Sequence, residues 1–193
     1  MKGIESSYKE NNYGALFETI TRIYKPDICV ELGCLNGYSG IYTARGLKKN
    51  RRGKLYIIDL FENYKYKHCS YLKAKKNFSL YGVSEFVEFI RGDVFEKCAD
   101  LRFDKIDFLH IDISNNGDVL KKIFNTLDDK ITEKTIIIFE GGSVERDNIE
   151  WKKQFGKKPL RDFINNKQFQ NKFEYFTFNP FPSLTICRKK GRV

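Results

Sequence analysis

Four carboxylates stand at or beside the ends of short apolar runs: Glu31, Asp59, Asp112 and Glu140. An ionised carboxylate is a pure acceptor, so it can hold a pair of hydroxyls, meet an amine, take part in a metal site or remove a proton. Around the first of them the chain reads Glu31-Leu32-Gly33-Cys34-Leu35-Asn36-Gly37-Tyr38-Ser39. The two glycines allow a tight turn and a close backbone approach to a ligand, and the helix start behind them offers unpaired N–H groups. A G-x-G-x-x-G run and a P-loop are both missing, so a pyrophosphate is not the expected guest. Glu31 would instead meet a cationic or hydroxylated part of a ligand. His110, two residues before Asp112, is either a base or a structural histidine bonded to backbone, with its side chain expected opposite those of Leu109 and Ile111.

Apolar, β-branched patterning predicts the elements that must carry these groups. Strands are expected over 28–32, 54–59, 86–90, 106–112 and 135–140, and helices over 37–49, 66–81, 94–101 and 117–131. Alternation of this kind means βαβ units and a mostly parallel sheet, whose ligands bind at the C-terminal strand ends. A helix over 157–168 and two strands over 174–178 and 184–188 follow. The link 179–183 is too short for a crossover helix, so the last two strands form an antiparallel hairpin. The expected organisation is one domain over 1–193, with 1–25 as a leading cap segment and 141–158 as a lid or substrate loop. His68 is expected on the exposed side of the helix 66–81.

With 193 residues, 41% of them hydrophobic, the chain can build a full core, which excludes a disordered tail or a disulfide miniature. No apolar run approaches the roughly 18–20 residues that span a bilayer, and the first twenty residues read as neither signal peptide nor anchor. Five scattered cysteines without a CxxC argue against a disulfide scaffold or structural zinc, and the cytoplasm is the expected compartment. The net charge of +10 favours acidic partners without choosing among them.

Taken together, the motifs resemble the class I S-adenosylmethionine-dependent methyltransferases, nearest to their small-molecule and sugar O-methyltransferase subgroups. Glu31, Gly33, Cys34 and Gly37 match the family's first motif around the methionine end of the cofactor. Tyr38 and Ser39 would reach its carboxylate from the helix start. Asp59, with Leu60 beside it, stands where the ribose-binding acid lies, and Gly92-Asp93-Val94 looks like the third motif, facing the adenine amine. His110-Ile111-Asp112 resembles the fourth, and Tyr8 and Tyr13 would cover the cofactor. The resemblance implies a Rossmann-like α/β sandwich with a seven-stranded, mostly parallel sheet and an antiparallel C-terminal hairpin strand.

In small-molecule O-methyltransferases of this fold, positions like Asp112 and Glu140 supply carboxylates to magnesium or manganese. This chain departs from that pattern. Glu140 is followed by Gly141-Gly142, an Asp147-Asn148 pair comes only later, and Asp112 is followed by Ile113-Ser114-Asn115-Asn116. A metal-free site with Asp112 or His110 as base is the alternative. Asn115 and Asn116 are either substrate residues or, with Asp118, caps of the next helix. Arg146, Trp151 and Lys152 would grip the substrate. The reading that follows is methyl transfer to a hydroxyl of a small, sugar-like or anionic acceptor, with a homodimer as one way to complete the pocket. Its rivals are an RNA or tRNA methyltransferase, favoured by basic clusters at 48–54, 65–76 and 188–192, and an inactive methyltransferase fold that only binds.

Overall fold

Runs of Ile, Val, Leu and Tyr set the strands, because such side chains pack well on a pleated surface. Ile28–Leu32 (β1) and Lys54–Asp59 (β2) form over the residues expected, while Val87–Arg91 (β3) begins one residue late because Phe86 closes a 3-10 turn. The computed structural model describes residues 4–66 and 69–191, and His68 lies outside them. The chain divides into two compact units, Met1–Leu101 and Arg102–Val193.

In the first unit β1 pairs in parallel with β2, and β2 with β3. Tyr13–Tyr24 (α1), Tyr38–Asn50 (α2), Tyr71–Leu80 (α3) and Val94–Ala99 (α4) complete it. Helix α1 was not expected, since Asn12 makes no side-chain cap and no start signal precedes it. What holds it is packing. Gly14 lies against the Tyr42 ring, Gly46 against Thr21, and Glu18 pairs with Arg45 at 3.2 Å and Lys49 at 3.0 Å. Tyr8, Tyr13 and Phe17 are buried, with the Tyr8 ring edge-to-face with Tyr13 and tilted against Phe17. The leading segment is thus part of the unit's core. Helix α3 starts at Tyr71 rather than 66 because Ser70 caps it, accepting from the Lys73 N–H at 3.2 Å.

The second unit holds Ile106–Ile111 (β4), Gly117–Thr126 (α5), Ile131–Glu140 (β5), Val144–Asp147 (α6), Glu150–Gln154 (α7), Leu160–Ile164 (α8), Lys167–Lys172 (α9), Phe173–Phe178 (β6) and Leu184–Lys189 (β7). β4 and β5 are parallel, whereas β7 pairs antiparallel with both β5 and β6. The seven strands follow the order β3-β2-β1-β4-β5-β7-β6, a mostly parallel sheet with an antiparallel hairpin at one side. Phe124 of α5 centres an aromatic cluster, within 5.1–6.3 Å of Phe139, Phe163, Phe169 and Phe173.

Three expectations shift here. Helix α5 stops at Thr126, and β5 begins at Ile131, where the Thr135 hydroxyl donates to Ile106 O at 2.6 Å and steadies a register shift against β4. The helix expected over 157–168 breaks at Asn165, and Asn166 caps α9 through the Gln168 N–H at 2.8 Å. The segment 141–158, expected as a lid or substrate loop, carries α6 and α7. Among the described residues, no helix is long and apolar enough to cross a membrane.

Candidate active site

In the first unit the candidate residues gather where β1 and β2 end. Gly33 and Gly37 adopt φ of 92° and 86°, a region that disfavours any side chain. A Cβ on Gly37 would also strike the Phe78 ring. The Gly37 N–H donates to Cys34 O at 2.8 Å, closing the turn that leads into α2. Asp59 fixes this loop to its own strand. Its Oδ2 accepts from the Cys34 N–H at 2.6 Å and its Oδ1 from the Phe61 N–H at 2.5 Å. Both bonds orient a partly exposed carboxylate that keeps lone pairs for two further donors, as a ribose diol would require. Leu60 leads into the 3-10 turn Phe61–Asn63.

Glu31 is buried and accepts from the Ser39 hydroxyl, so the first motif ties its own acid to the start of α2. Asp93 caps α4, accepting from the Phe95 N–H at 2.8 Å, with Val94 as the first helical residue. Burial, helped by the charges of Glu31 and Asp59, pushes the Cys34 thiol well above its ordinary value. Cys34 therefore contributes a neutral side chain and a backbone N–H. Burial, and then the neighbouring Tyr42, raises the Tyr38 phenol to about 12. Asn36 was missed in the sequence reading. It is 5% exposed, its backbone oxygen accepts from Asn77 Nδ2 at 2.9 Å, and its Oδ1 meets no donor among the described residues. Only its place between the two glycines marked it.

The second unit gathers its polar groups at the ends of β4 and β5. Asp112 follows β4 and is partly exposed, whereas His110 is 1% exposed inside the strand. Glu140 ends β5, and its Oε1 accepts from Arg146 Nη2 of α6. The Arg146 guanidinium lies over the rings of Trp151 and Phe181, at 5.3 and 5.2 Å. Its buried Nε–H finds no acceptor among the described residues. Asn115, held in the left-handed region at φ 39°, donates from Nδ2 to Glu140 O at 3.2 Å and accepts at Oδ1 from Lys152 Nζ at 3.0 Å. Lys152 also donates to Asp147 Oδ1 at 2.7 Å and is 0% exposed. Asp147 further accepts from the Leu160 and Arg161 N–H groups at 2.9 and 3.0 Å.

The expectation that Lys152 reaches outward to grip a substrate is therefore corrected, because its ammonium is sealed in an ion pair with Asp147. Arg146 is likewise buried and balanced by Glu140 rather than presented on an open loop. Asn116 accepts from the Asp118 N–H at 2.9 Å and caps α5, the alternative named for it above. Asp147 was noted only as distant from Glu140; α6 and the turn after it bring it back.

Asp112 and Glu140 do not make the metal site that the resemblance implied. Among the described residues no group of three or more His, Cys, Asp or Glu side chains could hold a metal ion. Beside Asp112, Glu140 is taken by a guanidinium and the Asn115 oxygen by an ammonium, and these cations oppose a dication.

Several cations of the basic clusters at 48–54 and 188–192 are engaged, whereas Lys65, Lys73, Lys75 and Lys76 of the cluster at 65–76 are exposed. Arg52 pairs with Asp27 at 2.6 Å, Lys48 donates to Gly82 O at 2.8 Å, Arg188 pairs with Glu174 at 2.5 Å and Lys190 donates to Gln170 O at 2.6 Å.

Comparison with known proteins agrees with this arrangement. An O-methyltransferase from Bacillus cereus in complex with S-adenosylhomocysteine superposes with a TM-score of 0.70 at 18% identity, covering 98% of this chain and 84% of its own. The S-adenosylhomocysteine-bound methyltransferase PaMTH1 of Podospora anserina gives 0.69 at 18%, covering 97% and 80%. The O-methyltransferase TomG of Streptomyces achromogenes, involved in tomaymycin synthesis and bound to S-adenosylmethionine, gives 0.69 at 16%, covering 96% and 86%. At such identities the likeness is one of fold. No curated protein matches the chain by sequence. Residues 30–140, however, match the family model of the methyltransferase domain. That span opens in β1 just before the glycine loop and closes at Glu140, so it takes in the loop, Asp59, Asp93 and Asp112 together: the chain belongs to the methyltransferase-domain family.

Proposed function

We propose that the protein transfers the methyl group of S-adenosylmethionine to a hydroxyl of a small, sugar-like or anionic acceptor. The observation that carries this reading is Asp59, a carboxylate aimed by two backbone N–H groups beside a left-handed glycine loop. The family match and the cofactor-bound fold relatives support it. When bound, the cofactor supplies an electrophilic methyl on a cationic sulfonium.

The chain's own residues do the rest. Asp59 accepts both ribose hydroxyls, and the partly exposed Asp93 takes the adenine amine on the oxygen that α4 does not use. The backbone N–H groups at the start of α2 receive the carboxylate end, since the Ser39 hydroxyl proton is already given to Glu31. Asn36 Oδ1, buried without a donor, accepts from the ammonium. In the second unit Asp112 is the base that removes the acceptor proton, because it is the partly exposed carboxylate that follows β4 and lines the cavity there. His110, enclosed within β4, takes the structural role. Trp151 and the Arg146–Glu140 pair form the wall against which the acceptor rests.

The unpaired outer side of β6 and the exposed Phe176 support a homodimer, and five buried, unbridged cysteines support a reducing compartment such as the cytoplasm.

Calorimetric titration with S-adenosylhomocysteine tests the reading. Asp59→Asn should weaken binding by about 10- to 100-fold, the worth of charge-assisted hydrogen bonds. Asp112→Asn should keep full affinity and lose turnover of hydroxylated acceptors. Wild-type protein that folds but does not bind would sink the proposal.

A further inference from the structure

Asp112, Asn115, Asn116 and Glu140 surround a cavity of about 10 Å³ at the ends of β4 and β5, closed on its other sides by Phe139 and Leu160. That is room for about one water molecule or one bare ion. Besides Asp112, a dication at this point would draw on the Glu140 carboxylate and the Asn115 amide oxygen, the hard oxygen donors that such ions prefer. Both are already engaged by protein cations, Glu140 by the Arg146 guanidinium and Asn115 by the Lys152 ammonium at 3.0 Å. Neither cation can readily turn away. Arg146 is buried and in contact with two aromatic rings, and Lys152 is enclosed and fixed by Asp147 at 2.7 Å.

We infer that Arg146 and Lys152 supply the positive charge of the acceptor pole, that the cavity takes a water molecule, and that the methyl transfer needs no divalent metal. The inference rests on the methyl-transfer reading for its meaning, but its physical content belongs to the second unit alone. Two fixed cations polarise the oxygens around the acceptor without the loss and reloading that an exchangeable ion entails. Lys152 is a positioning residue here: it acts through Asn115, whose amide in turn holds Glu140. The site would then favour acceptors that offer a single hydroxyl, since the chelating pair of oxygens that a metal demands has no counterpart.

The full-length protein can be titrated with Mn2+ and followed by electron paramagnetic resonance, with S-adenosylhomocysteine binding measured on the same preparation. The expected result is a free-ion signal undiminished up to about 1 mM Mn2+, and one melting temperature in Mg2+ and in chelator. One-to-one Mn2+ binding that Glu140→Gln abolishes would overturn the inference even if S-adenosylhomocysteine binds well. Loss of cofactor binding alone would strike the functional reading instead. Replacing both cations (Arg146→Met with Lys152→Met) strips Glu140 and Asp147 of these partners, and Mn2+ affinity should rise about tenfold or more. A folded double variant that still ignores Mn2+ would show that the cations are not what excludes the metal. Should that variant fail to fold, Lys152→Gln carries the same comparison.

Discussion

Asn36 makes a useful case because its side-chain oxygen is buried without a donor, and an unsatisfied buried acceptor costs about 1–3 kcal/mol. Such a cost persists where a ligand later removes it. The ammonium of the cofactor's methionine portion is a suitable donor, so Asn36→Ala should weaken S-adenosylhomocysteine binding by about 3- to 10-fold. Asn36→Asp, which keeps the acceptor and adds charge, should hold or improve it. Calorimetry on the pair separates the two roles, because a merely structural Asn36 would make the aspartate variant the worse of the two. Asp59 differs in kind: its position at the end of an apolar strand was legible, whereas Asn36 gave no signal beyond lying between Gly33 and Gly37.

Among the elements, α5 shows how much stability rests on a single ring. Phe124 touches four other phenylalanines drawn from β5, α8, α9 and β6. Phe124→Ala should cost about 3–5 kcal/mol, read as a drop in the midpoint of denaturant unfolding. A loss below about 1 kcal/mol would mean that the cluster collapses to refill the space. The strands were readable because burial on both faces of a parallel sheet demands unbroken apolar runs, as in Ile136–Ile137–Ile138. Helix α1 was not readable, since its contacts with α2 depend on Gly14 and Gly46 being small, a property with no periodic signature. The true start of α3 was marked by Ser70 in a stretch whose lysines mimic a longer helix. The least readable part was the ion network: Arg146, Asp147 and Lys152 lie in a hydrophilic stretch whose sequence shows no pairing, and only the turns at Gly141-Gly142 and around α6 bring them to Glu140 and Asn115.

For the molecule as a whole, buried thiols and phenols set an alkaline limit. Burial raises Cys69 to about 11, Cys98 to about 12 and the Tyr38 phenol to about 12, and lifts Cys34 and Cys187 as well. A raised value means that the native state keeps its proton while the unfolded chain, with thiols near 9.0, gives its proton up. Stability is therefore complete below about pH 9 and falls as the pH climbs toward 12. By pH 10 Cys98 and Cys187 should each remove about 1 kcal/mol. Denaturant titrations at pH 7, 9 and 10 check the sign, and a midpoint that stays level or rises would refute it. The same protonation predicts thiols that resist alkylation at pH 8 until the protein is unfolded.

Strand β7 is last in chain order yet sits inside the sheet, between β5 and β6. Until it arrives, β5 and β6 both present open edges, and Gly141 and Ser143 lack their anchors, Ser183 and Thr185. The turn that delivers Arg146 to Glu140 is therefore assembled only when the final hairpin closes. On the ribosome the glycine loop and Asp59 can form early, but the acceptor pole waits for the last strand. A nascent chain stalled before Leu184 would carry a formed cofactor cradle in its first unit and two sticky edges in its second, a species that chaperones must shield.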